Sequence, residues 1–173
     1  LNNEINVKTK LEAKDVKEFN LAYSSKSRAL MGVILFIFYL AVMIIVSDRR
    51  DTEYILILAG IAAVISFVSW FLNKKSVERR SGKAYSTDKL AQMEQKYLIS
   101  ENSIDYESES GSGSIKWSEI LRVTETKNLF LIFVSTNRTL IIPKNSFISE
   151  KETTTFRYFI KKNIPPKPVK FML

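Results

Sequence analysis

The chain has 173 residues and a net charge of +8, with neither cysteine nor histidine. Those two absences exclude disulfides, thiolate nucleophiles, zinc–thiolate centres and imidazole proton shuttles, so catalysis would rest on Asp, Glu, Lys, Ser or Tyr alone. The positive balance asks for an acidic partner, and where the charge lies decides between nucleic acid and anionic lipid.

In chain order, residues 1–28 read as a short strand and an amphipathic helix. Ile5 and Val7 alternate with polar neighbours, and Thr9 with Glu12 has capping-box spacing. Val16, Phe19 and Tyr23 then recur at helical spacing. Residues 29–46 carry no charge over eighteen positions and residues 54–72 none over nineteen. At ~1.5 Å per residue each makes a helix of about 27–29 Å, close to the ~30 Å hydrocarbon core of a bilayer. Two such helices joined by the short link 47–53 predict a transmembrane hairpin over 29–72, both ends on one side. Lys26 and Arg28 precede it, and Lys74, Lys75, Arg79, Arg80 and Lys83 follow. In the link, Arg49 and Arg50 are diluted by Asp48, Asp51 and Glu53. The positive-inside bias puts both termini in the cytoplasm of a multi-pass cell-membrane protein.

Trp70 falls at the headgroup level of the second span and Tyr54 at the opposite interface. Neither span holds an Asp, Glu, Lys, Arg or His, which disfavours a proton or ion path. Ala59 with Ala63, and Ala62 with Ser66, have small-xxx-small spacing; packing on the first helix is preferred to an oligomer seam. Residues 73–95 read as a basic juxtamembrane helical extension, with a break near Gly82. Its cations, with Trp70, form the expected headgroup-contacting set, at about 1 kcal/mol per basic residue near an anionic surface. Nucleic acid is not expected, because no aromatics interleave with these charges.

From residue 96 to 164 the period shifts to two. Short runs with tight connections predict a meander of about six or seven antiparallel strands. Within it, "ESGSGS" reads as a hairpin turn in which Gly111 and Gly113 supply positive φ. Neither a phosphate loop nor a dinucleotide fingerprint fits, since no lysine follows the second glycine and position 116 is Lys. Trp117 follows Ile115 at strand spacing and is expected in the core, a ligand-stacking role being the alternative. Asp105, Glu107 and Glu109 alternate on one face; a solvated strand face is preferred to a metal site. A final helix begins at Ser149 and Glu152, buries Phe156, Phe159 and Ile160, and stops before Pro165 and Pro166. Residues 165–173 are expected to be a mobile tail. A curved antiparallel sheet with this helix over its open end would bury the aromatic surface.

The order of features resembles the YcxB-like family of bacterial membrane proteins. The most specific stretches are Trp117 with Ser118, Glu119 and Ile120, and Ile142, Pro143 and Lys144 with Phe147. The resemblance implies a C-terminal part similar to bacterial pleckstrin-homology-like domains, a strongly bent sheet that the first strand could join. It implies a structural role for Trp117, Ile120, Pro143 and Phe147, which join Phe156 and Phe159 of the last helix in the expected core, and carries over no catalytic residue, cofactor or metal.

The leading functional expectation is a non-enzymatic, membrane-anchored binding or scaffolding module with a protein partner or self-association. The alternatives are an anionic-lipid or envelope-state sensor and, third, a membrane-surface enzyme using carboxylates or a Ser–Lys pair.

Overall fold

The computed structural model describes residues 4–49 and 51–164. Arg50 and the tail expected at 165–173 lie outside them. The chain divides into two compact units, one of Leu1–Phe19 with Ala84–Leu173 and one of Asn20–Lys83.

In the first unit, β1 (Ile5–Lys10) alternates buried and exposed residues, the period-2 signature of a half-buried strand. It pairs antiparallel with β2 (Glu94–Ile99), with Ile5 opposite Ile99 and Lys10 opposite Glu94. The segment before the hairpin thus shares a sheet with the segment after it. β3 (Ser103–Ser108) and β4 (Gly111–Lys116) complete a four-stranded sheet in the order β1-β2-β3-β4. After β4, a 3₁₀ turn at Trp117–Glu119 redirects the chain, closed by the Lys116 N–H donating to the Glu119 carboxylate at 3.0 Å. β5 (Arg122–Glu125), β6 (Leu129–Phe133) and β7 (Thr139–Pro143) then form a three-stranded antiparallel sheet. Every residue of β6 is buried, so both of its faces are covered, as its unbroken apolar run requires.

The closing helix, α4 (Glu150–Asn163), is capped as its sequence predicts, with the Ser149 hydroxyl accepting from the Glu152 N–H. Its Phe156 and Phe159 enter one core with Val7, Tyr97, Ile104, Trp117, Phe130 and Ile142.

Several expectations are corrected. A single curved, pleckstrin-homology-like sheet is not what forms. The strands belong to two separate open sheets, because the turn at Trp117–Glu119 ends one ladder before β5 starts the next. Gly113 is not part of a turn. It lies within β4 opposite Tyr106, and only Gly111 takes positive φ, at 147°. Thr9 does not cap a helix. It is spent in β1 opposite Gln95, and α1 (Ala13–Tyr23) starts later, where the Asp15 carboxylate accepts from the Glu12 N–H at 2.8 Å.

The second unit holds α2 (Ser25–Val46) and most of α3 (Thr52–Thr87). α3 passes through Gly82 unbroken, since one glycine costs a helix only about 1 kcal/mol. It then stops at Thr87, and β2 claims Glu94 and Gln95 from the segment read as helical. Leu58, Ala62 and Ser66 are the buried residues of its apolar stretch, one stripe at four-residue spacing. The stripe continues to Ser69 and Trp70, and a Cβ on Gly32 of α2 would sit 3.9 Å from Trp70 Cδ1. The small residues at 62 and 66 thus lie on the helix–helix seam, whereas Ala63 is exposed.

Candidate functional site

Both long helices are long and apolar enough to cross a membrane. α2 has no buried residue at all. Leu30, Ile34, Ile37, Phe38, Ile45 and Val46 each expose half or more of their surface. A run this apolar and this uncovered is far from what water tolerates on a monomer.

The expected headgroup set lies on α3. Trp70 is 36 % exposed and stacks on Phe67 with centroids 6.1 Å apart. Lys75 lies over the Phe71 ring at 5.8 Å, Lys74 is half-buried, and Arg79, Arg80 and Lys83 are exposed. The cations therefore follow the apolar surface directly, along the same helix.

At the start of α2, Arg28 turns its guanidinium back and donates from Nη2 to the Leu21 carbonyl at 2.7 Å. Its Nε and Nη1 are buried without a partner, as is the hydroxyl of Ser66. A crevice of about 20 Å³ adjoins Arg28, lined by Met31, Gly32, Leu35, Ser69, Trp70 and Asn73.

The first unit carries a polar network that sequence reading did not find. Glu18 of α1 accepts three hydrogen bonds on the β5–β6 turn. They come from the Thr126 hydroxyl at 2.6 Å, the Asn128 N–H at 2.9 Å and the Asn128 side-chain amide at 2.8 Å. Burial alone would raise the Glu18 carboxyl, but these bonds and the charge of Lys144 outweigh it and hold it below its ordinary range. Lys144 Nζ reaches Glu125 at 2.7 Å and the Thr126 carbonyl at 2.7 Å, and Arg157 of α4 binds Glu125 at 2.7 Å. Arg157, and Lys144 with it, holds the Glu125 carboxyl below its usual range. Both cations sit over the Phe130 ring. Every charge here is answered by another element, so the network fastens α1, the turn and α4 together. The signal available was the pair Thr126 and Asn128, turn residues able to donate to an acid, but nothing local says which acid arrives.

The residues expected in the core are placed there. Trp117 is 4 % exposed, donates its indole N–H to the Ser100 carbonyl at 3.0 Å, and lies 6.3 Å from Phe156 and 6.4 Å from Phe159. A ring so enclosed cannot stack on a ligand. Ile120, Pro143, Phe147, Phe156 and Phe159 are also buried. On the outer face of the first sheet, an open groove of about 790 Å³ runs over Lys8, Lys96, Asp105, Glu107, Ser112 and Ser114. Glu109 falls in the turn beyond β3 and breaks the expected carboxylate row. Among the described residues no cluster of three metal-ligating side chains is present.

These features define an α+β protein whose β unit is interrupted in sequence by a hairpin of two exposed apolar helices. Residues 99–160 match the family model described as YcxB-like protein, so this part of the chain is similar to the YcxB-like family. It is 32 % identical over 89 residues to the "Uncharacterized protein YcxB" of Bacillus subtilis (strain 168), a match covering 51 % of this chain and 48 % of that protein. The chain thus matches about half the length of that curated relative. No solved structure matches it.

Proposed function

We propose that this protein is a non-enzymatic, membrane-anchored binding or scaffolding module, held by the helical hairpin in the cytoplasmic membrane with both flanks on the cytoplasmic side. The observation that carries the reading is the bare apolar surface of α2, on which no residue is buried. Lipid is the solvent that suits it, and the helix satisfies its own backbone there. The cations after the second span support the orientation. The non-enzymatic reading draws on the chain's lack of Cys and His and on the structural pairing of Glu18, Glu125, Lys144 and Arg157. The partner is a protein or a second copy, together with anionic headgroups at the basic segment.

The chain has no native cysteine, so single introduced thiols report cleanly. Asp48→Cys in the link is expected to react with an impermeant maleimide on intact cells, and Ser86→Cys only after permeabilisation. Equal labelling of both before permeabilisation would overturn the anchoring and its orientation. A cross-linking pull-down from membranes that returned no partner, and no self-association, dependent on residues 96–164 would remove the scaffolding role.

The basic run of exposed Arg79, Arg80 and Lys83 favours a second reading, a sensor of anionic lipid. It predicts that the full chain, reconstituted in nanodiscs, changes hydrogen exchange in the first unit when phosphatidylglycerol replaces phosphatidylcholine. An unchanged pattern would exclude it.

A further inference from the structure

The Arg28 crevice combines two facts that conflict unless something occupies it. Two guanidinium nitrogens are buried without an acceptor, and no acidic side chain forms an ion pair with Arg28 among the described residues. A charged donor enclosed in this way is costly unless it finds a partner. The adjoining space, about 20 Å³, is room for one oxygen atom. Its walls mix apolar Met31, Leu35 and Trp70 with polar Ser69 and Asn73, and one turn deeper on α3 the buried Ser66 hydroxyl is also unpaired. The neighbouring charged residues in sequence, Lys26, Lys74 and Lys75, are all cations.

We infer that this crevice receives a phosphate oxygen, and that its source is the headgroup of a membrane phospholipid. The inference rests on the anchoring reading above. Phosphate answers both deficits at once, since it brings negative charge and an acceptor, and guanidinium holds it in preference to ammonium. A lipid phosphate arrives at this level with its acyl chains laid along the exposed apolar faces of α2 and α3, so the two parts of one molecule meet the two parts of one surface. Water brings an acceptor but leaves the charge unanswered. The site differs from the basic residues further along α3. Those are exposed and act by screened long-range attraction, whereas the Arg28 donors are enclosed and act at contact.

The test uses the full chain in detergent micelles doped with dioleoyl-phosphatidylglycerol or with dioleoyl-glycerol, which lacks the phosphate, and counts retained lipid by native mass spectrometry. Wild type is expected to retain the phospholipid and not the diacylglycerol, including at about 0.5 M salt, where the Debye length is only a few ångströms. Arg28→Met is expected to lower retention at least tenfold. Gly32→Ala leaves Arg28 in place and adds a methyl to the crevice wall without a clash, and it is expected to lower retention several-fold. Lys74→Ala with Lys75→Ala should weaken retention at low salt only. Retention unchanged in both Arg28→Met and Gly32→Ala, equal retention of diacylglycerol, or no retained lipid in wild type (water alone filling the crevice) would overturn the site. Displacement of the lipid by millimolar inorganic phosphate would keep the phosphate chemistry and overturn the lipid source. The same protein is also reconstituted into phosphatidylcholine nanodiscs: if wild type enters them but its lipid retention in micelles shows no Arg28 dependence, the site fails and the anchoring stands, and if it does not enter them, the anchoring fails and the site with it.

Discussion

Gly113 is fixed as a glycine by a single neighbour, Tyr106. The two face each other across β3 and β4, and the tyrosine ring lies over the glycine so closely that a Cβ there would stand 2.6 Å from Tyr106 Cζ. Arg138 then stacks on that ring at 5.3 Å and donates to its hydroxyl. Gly113→Ala should push the ring away and destabilise the protein by about 1–3 kcal/mol, the usual cost of overpacking. In a Tyr106→Ala background that cost should largely vanish, and a double-mutant cycle by chemical denaturation measures the difference. Glu18 makes a prediction in pH. Its folded pKa is lowered from the ordinary 4.5, so its contribution is full above that value and is lost as pH falls through the lower folded one. Glu125 has the same sign. Asp15, which burial raises, has the opposite sign and regains stability on protonation. Protection factors at residues 126–129, exchange corrected for its intrinsic pH dependence, should therefore fall as pH drops below the ordinary carboxylate range, and Glu18→Gln should flatten that dependence while costing on the order of 1 kcal/mol.

At the scale of elements, the strand before the hairpin and the turn after β4 carry most of the architecture. β1 is the partner of β2, with Val7 buried opposite Tyr97. Val7→Asp would place an unpaired carboxylate in the core and should cost roughly 3 kcal/mol or more. Faster proteolysis within residues 94–99 of the full chain would register it; an unchanged digest would mean that β1 does not hold β2. The turn at Trp117–Glu119 works through its tryptophan, which reaches α4 and the Ser100 carbonyl together. Trp117→Ala should cost about 3–5 kcal/mol, read from the denaturation midpoint, because neither sheet nor helix can close over the gap. The strand period and the Ser149 cap were legible along the chain because both depend on near neighbours. The starts of α1 and β2 were not, because a strand from the other side of the hairpin competes for Thr9 and Gln95.

Across the whole molecule, the two apolar runs, their length and the cations that follow them are properties of consecutive residues. No distant contact is needed to make eighteen uncharged residues long and apolar enough to cross a membrane, so the sequence by itself determined the two apolar helices, the membrane-facing proposal and the aromatic core residues. The Trp117 and Pro143 stretches also determined the resemblance that the family match supports. Three things waited for the tertiary structure. The sheets are two because a 3₁₀ turn, and not a hairpin, follows β4. Glu18 meets Thr126 and Asn128 across more than a hundred residues of chain, a pairing no local pattern encodes. Arg28 looks in sequence like one more topology-setting cation, and only packing shows that two of its donors are enclosed and unanswered. Local periodicity reports which side of an element is apolar; which polar groups meet, and which are left without a partner, depends on where the chain returns to itself.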